Sequence, residues 1–205
     1  MKIDDTKLVV VNNPLSFPIE GIRTDIKENI VLFVGRLDDY DKNIFEVVHI
    51  WEKATRDTQF STWKLIIIGD GPDKQRMEKL AEKKKLTNII FMGKQNPVAW
   101  YKKAKILMLT SREGWGLVLT EAMQFKAIPV AYSSYSSVVD IIKDGQTGYL
   151  VKKSDRKLYA EKLSWIMENW NDLSDVRENG YQYVQKFSLD KIVDEWGNML
   201  LRINK

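Results

Sequence analysis

The feature that most constrains this chain is an alternation. Short runs of consecutive β-branched and aliphatic residues recur along it, separated by amphipathic stretches of helix length. The strand candidates are Lys7–Val11, Ile30–Val34, Trp63–Ile68, Asn88–Phe91, Ile106–Leu109, Ile128–Ala131 and Tyr149–Val151. Most are continuously apolar rather than alternating, which is how strands covered on both faces of a parallel sheet read. Between them, helices are expected over Asn43–Thr55, Asp73–Lys85, Val98–Ala104, Gly116–Gln124 and Ser136–Lys143. The pattern predicts an α/β chain with a single doubly wound parallel sheet and helices on both faces. After Val151 the strands stop. Asp155–Asn169, Leu173–Lys186 and Leu189–Ile203 read as a helical tail, the first two opened by Ser154 or Asp155 and by Asn171 or Asp172.

Composition narrows the chemistry. The chain has 205 residues, enough for a sizeable core. It has no Cys, which excludes a Cys nucleophile, an iron–sulfur cluster, a thiolate zinc site and a disulfide scaffold. The single His, His49, excludes a His-rich metal centre. A net charge of +4 over this length is too dilute to point to nucleic acid. The longest apolar runs reach about five residues, against the ~20 that span a bilayer. The first ten residues contain no apolar core of a secretory leader.

Glycines mark where function should be sought. Gly35, Gly69, Gly71, Gly93, Gly114 and Gly116 all follow predicted strands, and in open α/β sheets ligands bind outside the carboxyl ends of the strands. Three constellations lie there. Gly35, Arg36 and Lys42 combine a close backbone approach with two cations, which suits a diphosphate; the plainer reading is a loop with surface cations. Gly69-Asp70-Gly71-Pro72 is a tight strand–helix turn, or backbone that lines a base or ribose pocket; position 74 is Lys, so the three-glycine dinucleotide fingerprint is incomplete. The third runs from Ser111 to Met123. A Gly-bracketed turn opens a helix, so free N–H groups and the helix dipole favour an anion. Glu113 and Glu121 flank that helix start. If helical throughout, the eight-residue step from one to the other spans roughly 12 Å, on the order of a sugar–diphosphate–ribose unit. The plainer reading is two solvated glutamates, although Glu on a covered helix is rarely buried unpaired.

Taken in order, these residues resemble a known family. Gly35-Arg36-Leu37 with Lys42, Gly69-Asp70-Gly71-Pro72, Phe91-x-Gly93, Glu113-Gly114-Trp115-Gly116-Leu117 with Glu121-Ala122-Met123, and Asp144-Gly145-x-Thr147-Gly148-x-Leu150-Val151 look like the nucleotide-binding half of family-4 (group 1) glycosyltransferases of the GT-B fold. The resemblance runs from about Lys7 to Trp196, and the Glu113–Glu121 pair is its most specific piece. It implies a Rossmann-like donor-binding domain, half of a GT-B fold, over residues 21–188. Residues 1–20 would be an interdomain linker with a first strand, and 189–205 a helix that leans on an absent N-terminal acceptor domain.

The resemblance also implies roles. Arg36 and Lys42 would clamp the diphosphate with Gly35 giving close approach, and Glu113 would bind the transferred sugar; these supply the catalytic set Glu113, Arg36 and Lys42. Gly114, Trp115, Gly116 and Leu117 would meet the phosphates and sugar, and Glu121 would hold the ribose. Gly69 and Asp70 would flank the base together with Lys94 and Gln95 of the Gly93–Pro97 loop. The implied donor is a UDP-sugar or GDP-sugar, used with retention of configuration and without a metal or other cofactor. The implied setting is cytoplasmic assembly of surface polysaccharide or glycolipid, with peripheral membrane association of the full-length enzyme and no nucleic-acid partner. This chain alone would be inactive. One departure is Lys126, where the family usually has a helix-ending glycine.

Other features are set aside on physical grounds. Glu113 and Glu121 are too far apart for a glycosidase pair. Asp39-Tyr40-Asp41 has a metal-binding spacing, but Arg36 and Lys42 beside it make loop charges the better reading. Trp51, Trp165 and Trp196 read as helix–sheet packing, and His49 as a packed or rim residue. A NAD-type dehydrogenase needs a glycine-rich turn after the first strand, where Asn12-Asn13-Pro14 stands instead. A phosphoacceptor receiver built on Asp38, Asp39, Asp70 and Thr110 would leave the helical tail unused. A non-catalytic nucleotide-sugar sensor would use the same site as the enzyme and stays as the alternative.

Overall fold

The computed structural model describes residues 9–18 and 26–203. Six strands form one parallel sheet: β1 (Glu28–Val34), β2 (Lys64–Ile68), β3 (Ile89–Phe91), β4 (Ala104–Leu109), β5 (Ile128–Tyr132) and β6 (Tyr149–Val151). Their order across the sheet is β3-β2-β1-β4-β5-β6. The helices are α1 (Asp39–Lys42), α2 (Ile44–Ala54), α3 (Lys74–Lys83), α4 (Val98–Lys103), α5 (Leu117–Gln124), α6 (Val138–Ile141), α7 (Arg156–Glu168), α8 (Ser174–Val184) and α9 (Leu189–Ile203). The expected fold class is the observed one. Val9–Val11 carry no strand, and Lys7 and Leu8 of that expected strand lie outside the described residues.

The continuous apolar strands divide their side chains by the period of two. Val31 and Phe33 of β1, Leu65 and Ile67 of β2 and Ile106 and Met108 of β4 face one core with α2, α3 and α7. Ile30 and Leu32, Ile66 and Ile68, and Leu107 and Leu109 face the other, with α4, α5 and α6. Several polar side chains inside the fold are paired, as burial favours. Trp51, fully buried, donates its Nε1–H to Asn88 Oδ1 at 2.9 Å. Tyr159 Oη donates to the Val130 carbonyl and accepts from Leu109 N–H, tying α7 to β4 and β5. Glu46 is held by Arg156, which reaches it through both Nε and Nη2.

Several boundaries depart from expectation. α6 is a single turn, shorter than the expected Ser136–Lys143. Asp155, one of the two expected caps of α7, accepts from Leu158 N–H at 2.9 Å. Asn171 and Asp172 cap nothing; they lie in a 3₁₀ turn, Trp170–Leu173, that precedes α8. Of the three tryptophans assigned to helix–sheet packing, Trp51 is fully buried and Trp165 of α7 packs edge-on against Tyr149 of β6 with ring centres 5.7 Å apart while staying 42% exposed; Trp196 is 49% exposed. The Pro-containing segment before the sheet is pinned to the domain: Leu15 N–H donates to the Phe187 carbonyl at 2.8 Å, and Gln124 Nε2 to the Phe17 carbonyl at 2.8 Å.

α5 ends as its sequence suggests. Lys126 is left-handed at φ 57°, Ala127 N–H reaches back to the Ala122 carbonyl at 2.9 Å, and Lys126 N–H to that of Met123 at 3.0 Å. This is a Schellman closure with a lysine where glycine is cheapest, a strain of about 1 kcal/mol. Lys126 Nζ also pairs with the exposed Glu178 at 2.6 Å, worth about 0.5 kcal/mol. Lys126→Gly is therefore expected to raise the chemical-denaturation midpoint slightly, by about 0.5 kcal/mol of stability. A lower midpoint would mean that the ion pair outweighs the backbone strain.

Candidate functional site

The sheet has a topological switch between β1 and β4. From β1 the chain proceeds through β2 and β3 on one side; it then crosses to β4 and continues through β5 and β6 on the other. The loops leaving the two central strands diverge there and open a crevice at their carboxyl ends, where open α/β sheets bind ligands. The expected site residues form two groups after the strands, with Glu121 further along, inside α5.

The first group follows β1, β2 and β3. Gly35, Arg36, Gly69, Asp70, Lys94 and Gln95 line a cleft of about 470 Å³ with Val34 and Ile68. Backbone bonds close its floor: Gly35 N–H donates to the Ile68 carbonyl and Gly69 N–H to that of Gly93, each at 3.0 Å. Gly69 has φ 152°, and a Cβ there would stand 1.8 Å from the Gly35 carbonyl oxygen. Only glycine lets these two strand ends approach so closely. Arg36 is largely exposed and lies 3.5 Å from Asp38, leaving its guanidinium available to an anion at the cleft mouth.

The second group follows β4. Glu113 sits in the turn after β4, and Lys42 at the end of α1, a helical turn that sequence periodicity did not reveal. Lys42 Nζ donates to Glu113 Oε1 at 2.6 Å, across the switch. Ser111 Oγ donates to the same oxygen at 2.5 Å. Thr110 Oγ1 donates to the carbonyls of Lys42 and Asn43 at 3.0 and 3.2 Å, so the end of β4 also fixes the α1–α2 junction. Asn43 makes that junction by turning left-handed at φ 51°, a conformation Asn tolerates. Lys42 and Glu113 are each about four-fifths buried, so neither is a freely solvated charge.

α5 begins beside this pair. Gly116 is its N-cap at φ 99°, with no side-chain cap and no acidic residue in the first turn. Its leading N–H groups are free to meet an anion. Ser137 Oγ donates to the Gly114 carbonyl at 2.7 Å and holds the turn. Leu117 is partly exposed at the helix start, and Trp115 sits edge-on to Phe187 with ring centres 5.3 Å apart. Glu121 lies on α5, half-buried, and accepts from Tyr101 Oη at 2.6 Å. The helix starts at Leu117, so Glu113 precedes it and the helical-rise estimate of the Glu113–Glu121 span does not apply to the whole stretch.

Tyr101 is a partner that sequence reasoning missed. It is fully buried on α4 and stacks on Phe125 with ring centres 5.8 Å apart and planes 6° from parallel. Burial, then the Glu121 charge, push its ionisation far above the ordinary tyrosine value, so it stays a donor to the carboxylate. Nothing in the Glu121 motif pointed twenty residues upstream to this phenol.

Two residues are accounted for elsewhere. Asp39 Oδ1 accepts from Phe45 N–H at 3.1 Å, and Asp39 N–H donates to Asp73, so this aspartate organises the α1–α2 corner. His49 lies between α2 and α3 beside Glu52 and Lys84; burial first, then the Arg156 charge, lower its pKa. Among the described residues no cluster of three His, Cys, Asp or Glu side chains is arranged for a metal ion, and no helix is long and apolar enough to cross a membrane.

A single doubly wound parallel sheet with cations, carboxylates and a helix start at its switch point defines a class of α/β domains that bind ligands at the carboxyl ends of their strands. Comparison with known proteins names the family. Residues 19–183 match the family described as "Glycosyl transferases group 1". The chain is 32% identical over 179 residues to the GalNAc-α-(1→4)-GalNAc-α-(1→3)-diNAcBac-PP-undecaprenol α-1,4-N-acetyl-D-galactosaminyltransferase of Campylobacter jejuni, covering 86% of this chain and 49% of that protein. It is 26% identical over 180 residues to the capsular polysaccharide biosynthesis glycosyltransferase CapM of Staphylococcus aureus, covering 85% and 46%. Among solved structures, the C-terminal domain of the group 1 family protein LpcC of Francisella tularensis matches at 25% identity with a TM-score of 0.69, over 80% of this chain and 89% of that one. A TarM variant of S. aureus, solved with fondaparinux, α-GlcNAc-glycerol and UDP, shares the fold at 24% identity and a TM-score of 0.84, over 93% and 39%. This chain belongs to the group 1 glycosyltransferases, and it spans about half the length of the curated relatives it matches.

Proposed function

We propose that this chain is the donor-binding domain, centred on residues 21–188, of a retaining glycosyltransferase that takes its sugar from a nucleotide-diphosphate donor, a UDP-sugar in the first instance. The observation that carries this reading is the Lys42–Glu113 pair, set across the switch point beside the uncapped start of α5. Arg36, Lys42 and the α5 N–H groups offer positive potential where a leaving diphosphate gains charge, the electrostatic contribution that dominates many transferases. They take the part a divalent metal would otherwise play. Glu113 would bind hydroxyls of the transferred sugar and Glu121 those of the ribose, with the base over Gly69, Asp70, Lys94 and Gln95.

In the reaction, the bond from the anomeric carbon to the phosphate oxygen breaks and a bond to the acceptor oxygen forms on the same face. The leaving phosphate accepts the acceptor's proton. The acceptor is a glycan or glycolipid of surface-polysaccharide assembly, in keeping with the named activities of the Campylobacter and Staphylococcus relatives. It would be held by a separate N-terminal domain, with the complete enzyme working in the cytoplasm against the inner membrane face. α9 supports such a partner domain: Leu189, Val193, Trp196 and Leu200 recur at helical spacing and are 60%, 55%, 49% and 54% exposed.

Titration with UDP and GDP without Mg²⁺ tests the donor reading: one of them should bind, and failure of both overturns it. The isolated chain should not transfer sugar. Robust turnover by it alone would disprove the need for a second domain.

A further inference from the structure

Three buried side-chain atoms among the described residues have no hydrogen-bond partner: Trp115 Nε1, Gln124 Oε1 and Tyr135 Oη. Trp115 immediately precedes the N-cap of α5, and Tyr135 reaches the same place from the loop after β5. The Tyr135 side chain packs with the core on the α5 face and the residue is only 9% exposed. Its hydroxyl lies 2.7 Å from where a Cβ on Gly116 would stand. Glycine at 116 therefore leaves the phenol directly against the helix start. A buried hydroxyl without a partner carries a desolvation penalty that a phenylalanine of the same shape would avoid. Nothing in the packing of Tyr135 uses its oxygen.

Its surroundings suit a donor to an anion. Burial, then the nearby Glu113 charge, push the Tyr135 ionisation far above the ordinary value, so the proton stays on oxygen. The Glu113 charge is matched by Lys42 at 2.6 Å, so an incoming phosphate does not face a lone carboxylate. The N-cap of α5, Gly116, lies against this phenol, and no side chain caps the first N–H groups of the helix.

We propose that Tyr135 Oη donates a hydrogen bond to a non-bridging oxygen of the distal phosphate of a nucleoside diphosphate, completing the anion site opened by Gly116 at the start of α5. This rests on the donor-binding reading above and names the side chain that reads the second phosphate. It adds to the site a residue 22 positions beyond Glu113, outside every motif that marked the site in the sequence.

The test compares the chain with Tyr135→Phe, titrating each with UDP, GDP, UMP and GMP and recording thermal unfolding without ligand. Tyr135→Phe should bind the diphosphate about tenfold more weakly, as loss of one hydrogen bond to a charged group implies. It should bind the monophosphate unchanged, and unfold at the same or a higher temperature because no native partner is lost. Unchanged diphosphate affinity overturns the proposal and leaves the donor reading standing. An equal loss on the monophosphate assigns the hydroxyl to the proximal phosphate and also overturns it, as does a lowered unfolding temperature with an unchanged preference for diphosphate. If the unaltered chain binds neither diphosphate, the donor reading itself fails and this proposal with it.

Discussion

Gly69→Ala is expected to lose about 3–5 kcal/mol of folding stability, combining overpacking with a strained backbone. The added methyl would stand 1.8 Å from the Gly35 carbonyl oxygen and 3.0 Å from its carbon. Both atoms are backbone, so no rotamer change relieves the clash. The φ of 152° is one that L side chains rarely adopt. Gly35 would have to move away, and Gly35 is bonded to Ile68 at the end of β2 and lines the cleft with Arg36. Stability and nucleotide binding should therefore fall together. Urea unfolding followed by circular dichroism measures the first; a loss below about 1 kcal/mol, an ordinary surface effect, would mean the strand ends do not approach as closely as described.

Lys42→Ala should weaken binding of the preferred nucleoside diphosphate by about 100-fold, or about 3 kcal/mol. The substitution removes a cation and also leaves Glu113, largely buried, without its 2.6 Å partner at the proposed diphosphate position. Both effects act against an anion. Two companions separate them. Glu113→Gln should reduce diphosphate binding far less, and combining Lys42→Ala with Glu113→Gln should recover part of the loss. If the double variant binds as poorly as Lys42→Ala, the lysine acts only as a direct phosphate ligand and the repulsion argument fails. Glu121→Ala should match Lys42→Ala in calorimetric titration, since it removes the carboxylate proposed to hold the ribose and strands the buried Tyr101 hydroxyl.

Much of the scaffold was legible because its causes are local. A strand covered on both faces must be apolar at successive positions, and Ile66, Ile67 and Ile68 record that without reference to any neighbour. Helix ends were legible where a side chain or a special φ supplies the cap, as at Asp155 and Lys126. They were misread where a 3₁₀ turn takes over, as at Trp170–Leu173, because its Asn and Asp look like caps but lie inside that turn, and α8 starts after it without a side-chain cap. The tryptophan of α9, half exposed, departs from the packing reading because an apolar residue at helical spacing says which face it lies on, not whether anything covers that face.

The sequence alone determined that this is a parallel α/β domain to which thiol and His-cluster chemistry is closed, since it holds no Cys and one His. Tertiary structure alone decided how its charged and polar side chains are engaged. Lys42 meets Glu113 from 71 residues away, and Tyr101 meets Glu121 from 20. Tyr135 is brought against Gly116 with its oxygen unpaired. The Lys42–Glu113 meeting depends on β1 lying beside β4, and the Tyr135–Gly116 meeting on β4 lying beside β5. Strand order is a long-range property that no local pattern of side chains encodes.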